Sequence, residues 1–297
     1  MALQARQEIQ TKNAFRLTYK QNALMKNDVF DLVFSLGSAC SCSSMLRSSA
    51  LQFASFPLDW VSGSTLRRRV ELLTDRFENW LEEEDLKLVQ NANAFGHDTY
   101  INNRTGLCHP HDFDKGIRLN EALPAVKDKY ARRINRLFNL ITSSRRVLAV
   151  WISDPRDGCR PTDEDILWSL QALKTKFPGQ EFKMLVLECL PDVDLASAQQ
   201  IHRPDFDVFS FDYRLTASGA QPWDVWGEPI TMVLSSYSCK DYRTKAEKKK
   251  HKEAKKKRAY QRFAAKSPLS FTINKLQFNL WRRLKRNLER KGIDLLG

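Results

Sequence analysis

The chain has 297 residues, 42% of them hydrophobic and 10% aromatic, which suffices for a real core and excludes wholesale disorder. Its net charge of +13 is unevenly placed: residues 240–297 hold 20 Lys and Arg against 5 Asp and Glu, which leaves the first 239 residues at −2. The basicity belongs to a tail, so the pI does not make the whole body a polyanion binder.

Residues 1–28 are polar and are expected to form an N-terminal arm, without the roughly 7–15-residue apolar stretch of a secretory signal. Val29 to Leu36 is a β-branched and aromatic run ending at Gly37, which predicts a buried strand and a tight turn. Ser38 to Ala50 follows as a helix that begins with small residues. Leu66 to Leu81 places Leu66, Val70, Leu73, Phe77, Trp80 and Leu81 at spacings of three and four, an amphipathic helix. Residues 90–118 are rich in Asn, Asp, Gly and His and read as loop, and Tyr130 to Ile141 is helical again.

A second strand is expected at Val147–Ile152. A helix then runs from Pro161 to Phe177, where Pro178-Gly179 ends it. Further strands are expected at Phe182–Glu188, Val208–Phe211 and Ile230–Leu234. Apolar strands alternating with amphipathic helices predict a layered, Rossmann-like α/β fold, with a mostly parallel sheet flanked by helices and a basic helical tail. The expected division is an arm (1–28), an α/β domain (29–239) and the tail (240–297).

In such sheets, sites form at the carboxyl ends of strands, where loops lead into helix N-termini. Cys40 falls there, in S-L-G-S-A-C-S-C-S. In a first helical turn its thiol lies near unpaired backbone N–H groups and the positive end of the helix dipole, both of which favour the thiolate. The same N–H groups could hold an oxyanion. The plainer alternative is that Cys40 and Cys42 are small residues packing a tight helix.

A thiolate nucleophile needs a base. Among five histidines, His97, His109 and His111 cluster in the polar stretch after the second helix, and His111 stands beside Asp112. A rival reading joins Cys108, His109 and His111 with Cys40 and Cys42 in a zinc site, although the usual paired spacings are missing. No Walker loop, G-x-G-x-x-G or H-E-x-x-H motif occurs, and no cofactor is expected. Six irregularly spaced cysteines suit reduced thiols in a cytosol.

The segments Asp31-Leu-Val-Phe-Ser-Leu-Gly-Ser-Ala-Cys40, Phe56-Pro-Leu-Asp-Trp60, Arg76-Phe77, His111-Asp-Phe113 and the arginine-rich run Lys129–Arg136 together resemble a bacterial family of papain-like cysteine peptidases, a domain of unknown function. The likeness covers roughly residues 29–235. It implies Cys40 as nucleophile and His111 as base, with Asp59 as the acidic partner or Asp112 in its place. Ser38, Cys42, Trp60 and Arg133 are the candidate substrate contacts, against the plainer readings of Trp60 as a core ring and of Arg132 and Arg133 as an exposed helix face, and the implied substrate is a peptide or other acyl compound. Leu58 departs from the family's P-F-D-W, and Cys42 adds a second thiol. Papain itself is α+β, whereas these strands predict a layered α/β domain, so fold and activity are argued separately.

In the tail, Lys245–Arg258 lacks an apolar face and is expected to be a solvated helix or disordered. After Pro268, Ile273, Leu276, Leu280, Leu284 and Leu288 line one face of a basic amphipathic helix that carries Phe278 and Trp281. That pattern suits an anionic membrane surface; the plainer alternative is a helix that docks on the protein's own body or pairs with another chain, and nucleic acid is the weaker one. The sequence thus predicts a cytoplasmic cysteine-nucleophile hydrolase held at the inner face of the cell membrane. The alternatives are an enzyme of surface-polysaccharide assembly and a catalytically silent binding module.

Overall fold

A computed structural model describes residues 28–90, 96–153, 160–190, 200–212 and 230–265. The expected N-terminal arm and the amphipathic segment after Pro268 lie outside these residues. The chain divides into two units, residues 1–242 and 243–297.

The first unit is built on a five-stranded sheet of β2 (Leu32–Gly37), β7 (Arg146–Ile152), β8 (Glu181–Leu190), β10 (Phe206–Asp212) and β9 (Gln200–His202), in that spatial order. All neighbours pair in parallel except β9 with β10. The strand expected over Val29–Leu36 is interrupted at Asp31. The Asp31 carboxylate accepts the backbone N–H groups of Arg145 and Arg146 at 3.0 and 2.9 Å, and a separate strand β1 (Asp28–Phe30) pairs in parallel with β11 (Tyr237–Cys239).

Side-chain alternation puts an apolar layer on each face of the sheet. Leu32, Phe34 and Leu36, with Val147, Ala149 and Trp151, face one core. That core is covered by α2 (Leu66–Thr74), α3 (Leu119–Ser143) and α4 (Asp163–Lys176). Val33, Leu148 and Val150 face the other, covered by α1 (Cys40–Ser48) and the helical residues 230–234. The loop leaving β2 therefore runs to a helix on one face, and the chain leaving its neighbour β7 runs to a helix on the opposite face.

Three expectations are corrected. Residues 230–234, expected as a strand, are helical. Ile230, Val233 and Leu234 are buried at helical spacing, and a short apolar run does not itself distinguish strand from helix. The helix expected to reach Leu81 ends at Thr74, because Arg76, Phe77 and Asn79 adopt left-handed backbone conformations. Phe77, Trp80 and Leu81 remain buried through the turns that follow.

The stretch read as loop contains most of a four-stranded antiparallel sheet in the order β3 (Ser62–Gly63), β6 (Leu107–Asp114), β5 (His97–Asn102), β4 (Leu86–Leu88). Its strands bury polar side chains, so the apolar alternation that marks a strand in sequence is missing. Thr99, Asn102 and His109 are all buried. Asn102 donates to the Trp80 carbonyl at 2.7 Å and accepts from the Thr105 amide at 2.8 Å.

In the second unit, α5 (Lys245–Ala265) starts at a capping box in which Thr244 and Glu247 exchange hydrogen bonds. Ten Lys and Arg against two Glu occupy this helix, and the side chains from Lys245 to Ala254 are exposed.

Candidate functional site

The turn after β2 is shaped by a buried arginine. Arg69, on α2, has no exposed surface and donates to the carbonyls of Leu36 (2.9 Å), Ser38 (2.8 Å), Val61 (3.3 Å) and Gly63 (2.7 Å). Its guanidinium lies 5.7 Å from the Trp151 ring centroid. Gly37 has φ +117°, and a Cβ there would lie 2.0 Å from Arg69 Nη1. Glycine is thus required at this turn for both backbone conformation and space. Ser38 is buried as well, and both its amide and its hydroxyl donate to the Ile152 carbonyl at 3.0 Å. This stitches the turn to the end of β7.

That rigid turn delivers Cys40 as the first residue of α1, half-buried and reduced. The N-cap residue is Ala39, which supplies no side-chain cap. The first turn therefore keeps the N–H character that makes helix N-termini receptive to negative charge. Cys42 is different. It is fully buried against the Val150 carbonyl, and burial pushes its thiol up to about 12. In this conformation it presents no surface to a substrate, and a thiol of that pKa is unreactive near neutrality.

Asp59, the acid of the Pro57–Trp60 turn, is fully buried beside α1. Its Oδ2 accepts from Arg47 (2.8 Å), Gln52 (2.7 Å) and the Phe56 amide (2.8 Å). Ser43, one turn after Cys40, is within hydrogen-bond distance of the carbonyls of both Asp59 (3.0 Å) and Cys40 (3.2 Å). Burial raises the Asp59 carboxyl to about 6, and Arg47 only partly offsets this. Asp59 Oδ1 is buried without a hydrogen-bond partner. Trp60 is half-buried, with Arg47 stacked 5.2 Å from its ring.

The histidine cluster lies on β5 and β6. Between the pairs Asp98↔Phe113 and Tyr100↔His109, one residue of β5 faces three of β6, Pro110, His111 and Asp112. In a regular strand residues three apart point to opposite faces; this bulge lets Asp112 turn inward to His109. His109 is fully buried, with Nδ1 2.9 Å from Asp112 Oδ2 and Nε2 lacking a partner.

From α3, Lys129 reaches Asp112 Oδ1 at 2.6 Å, and the Tyr130 hydroxyl donates to Oδ2 at 2.5 Å. Burial pushes Asp112 up, but the contacts of His109 and Lys129 together outweigh it and hold the carboxyl well below its usual range. His111 is half-buried, and its ring centroid lies 6.3 Å from that of His97. Burial lowers its pKa; the charge of Asp112 works against that and His97 adds to it. Arg133 is half-buried over the Tyr130 ring at 5.2 Å, and its charge lowers the Asp59 pKa.

The structure thus links Asp59, Tyr130, Arg133 and Asp112 electrostatically. It joins Cys40 to Asp59 through Ser43, and it pairs Asp112 with His109 by hydrogen bond. Among the described residues, no group of three or more His, Cys, Asp and Glu is placed to hold a metal ion, so the zinc alternative gains nothing. Arg69 and Gln52 are not among the residues the sequence singles out, and Lys129 and Tyr130 enter there only as part of the arginine-rich run Lys129–Arg136. A lone Arg on an apolar helix face is the available signal for Arg69, whereas Gln52 carries none. A cleft of about 710 Å³ lies elsewhere, at the amino ends of β2, β7 and β8. There Asp31 pairs with Lys240, and Glu181 with Arg145 and Arg146.

No solved structure matches the chain. An uncharacterized protein of Acanthamoeba polyphaga mimivirus is 25% identical over an alignment of 152 residues that covers 46% of this chain. The chain spans 65% of that relative's length. A family model described as "putative papain-like cysteine peptidase" matches residues 31–190, from the start of the first sheet strand to the end of β8. With more than half of its residues matched, including Cys40, Asp59 and His111, the chain belongs to that family.

Proposed function

We propose that the protein is a cysteine-nucleophile hydrolase acting on a peptide or other acyl substrate. The observation that carries this reading is the position of Cys40: a half-buried thiol in the first turn of α1, on a tight turn that Arg69 and the Ile152 carbonyl hold at the end of β2. In the proposed reaction His111 takes the Cys40 proton, and the thiolate attacks the acyl carbon to give a tetrahedral oxyanion. The backbone N–H of Ser41 is the proposed donor to that oxyanion, the Cys42 amide being already donated to the Ala39 carbonyl at 3.2 Å. His111 then returns the proton to the leaving amine, and water hydrolyses the thioester. A base must be neutral to accept a proton, and burial of His111 favours its neutral form. Asp59 supports the α1 side of the site, and Asp112 the histidine side.

The test is the alkylation rate of Cys40 by iodoacetamide as a function of pH, in wild type, Cys40→Ala and His111→Ala. Loss of labelling in Cys40→Ala and a titration midpoint below that of a free thiol near 8.5 support the reading. A Cys40 that titrates as a free thiol and is indifferent to His111 ends it.

Within the same reading the tail is the address: α5 supplies cations, and the segment after Pro268 supplies an apolar face for an anionic leaflet. None of the described helices is long and apolar enough to cross a membrane. Flotation with phosphatidylserine vesicles that survives deletion of residues 268–297 would refute the role of that segment.

A further inference from the structure

We propose that Arg160 is a substrate-recognition residue: anchored by the buried pair Glu188 and Ser210 at the carboxyl edge of the parallel sheet, its guanidinium takes an anionic group of the substrate, a carboxylate or a phosphate. The inference rests on the reading of Cys40 as the nucleophile, to which it adds a substrate class.

Glu188 is a carboxylate where the strand otherwise buries apolar side chains. On the same face of the sheet, Met184 and Val186 of β8 and Phe206 and Val208 of β10 belong to the core. Glu188 and Ser210 are paired across these two strands, and both are buried as they extend that face to the carboxyl end. A carboxylate removed from water needs donors to offset its lost hydration. The Ser210 hydroxyl donates to Oε2 at 3.1 Å and Arg160 Nε donates to Oε1 at 3.2 Å. Arg160 directly precedes Pro161 and the Thr162 cap of α4, which fix the chain at that corner.

The arginine is engaged through one edge only. Its side chain is 63% exposed, and among the described residues nothing pairs with its two Nη groups. The acids of the first turn of α4 are occupied elsewhere: Asp165 closes the cap with Thr162, and Glu164 and Asp165 pair with Arg67. Two parallel N–H groups on a guanidinium match the oxygens of a carboxylate or phosphate. Holding Nε on Glu188 beforehand reduces the rotamer freedom that binding would otherwise remove.

The register puts this group on the edge of the sheet from which Cys40 departs. Gly37 pairs with Trp151, and Trp151 with Val186, two residues before Glu188. At ordinary strand spacing, β8 lies roughly 10 Å from β2, the reach of about three extended residues. The anionic group is therefore expected a few residues from the scissile bond.

The experiment labels Cys40 in the full chain with iodoacetyl-glycyl peptides of one to three glycines that end in glutamate amide, glutamine amide or phosphoserine amide. Rates are read on the Cys40 peptide by mass spectrometry. Wild type should react about tenfold faster with an anionic probe than with the glutamine probe, and the faster of the two anions names the group. Arg160→Gln should abolish the preference. Arg145→Gln removes the same charge at the opposite edge of the sheet and should keep it.

Equal rates in wild type at every linker length overturn the proposal, as does a preference that survives in Arg160→Gln or disappears equally in Arg145→Gln. If Arg160→Gln does not fold, Arg160→Lys keeps a cation beside Glu188 without the fork, and an undiminished preference there overturns the proposal instead. Iodoacetamide carries no anion and reads Cys40 alone. Equal probe rates at a Cys40 with a lowered titration midpoint discard the role of Arg160 and keep the nucleophile. An Arg160-dependent preference at a Cys40 that titrates as a free thiol keeps the anion site and discards the hydrolase.

Discussion

The parallel sheet and the antiparallel sheet bury their strands by different means. In β2 and β7 nearly every side chain is apolar and buried; Ser35 is the buried polar side chain within β2, and Ser38 and Ser153 follow just past the strand ends. In β5 and β6, Thr99, Asn102 and His109 are buried; Asn102 is held by hydrogen bonds, and His109 is paired with Asp112 among the rings of Trp80, Phe113 and Tyr130. The first arrangement draws its stability from area removed from water, roughly 25 cal/mol per Å². In the second each buried polar group must find its partner, at a cost of about 1–3 kcal/mol when it does not. The candidate nucleophile stands on the first arrangement and the candidate base on the second.

Arg69 joins the two, since its carbonyl partners lie at the end of β2 and around β3. Arg69→Met should have the largest effect. Four buried carbonyls lose a charged donor, a change that typically costs about 3–5 kcal/mol. For a chain of this size that is a fall on the order of 10 °C in Tm. A thermal melt within two or three degrees of wild type would mean that the joint between the sheets is not held by this residue.

Asp59 sharpens the comparison through pH. Its folded pKa of about 6 lies above the ordinary value of 3.8, so the folded state holds the proton more tightly. The contribution of this group is fully present below pH 3.8 and is lost as pH rises through 6, by up to about 3 kcal/mol. Denaturant unfolding of Asp59→Asn should therefore lack the decline that wild type shows between pH 4 and 6. An identical pH dependence in both proteins would place the carboxyl at an ordinary pKa.

The smallest effect is expected on the antiparallel side. Asn102→Ala leaves the Trp80 carbonyl and the Thr105 amide without their side-chain partner, at a cost of roughly 1–3 kcal/mol. Chemical denaturation would measure it. A neutral result would show that the polar interior of this sheet tolerates unpaired groups.

Much of the fold was legible in the residues. The runs that became β2, β7, β8 and β10 are strongly apolar, and Thr162 with Asp165 caps α4 where the sequence places a helix start. The helical residues 230–234 were missed because five apolar residues suit either state. The β5–β6 hairpin was missed because its buried side chains are polar. At the site, Cys40 was legible from the Gly-x-x-Cys spacing after a strand, and the histidine cluster from composition alone.

By itself the sequence determined the mostly parallel apolar sheet, the family and a thiol at the start of a helix, because burial area and helix starts depend on residues close together in the chain. Only the tertiary structure decided that Gly37 makes room for Arg69, that Cys42 is buried beyond reaction, and that Asp112 pairs with His109. Each of these depends on which distant groups share one desolvated space. Spacing along the chain carries no record of that.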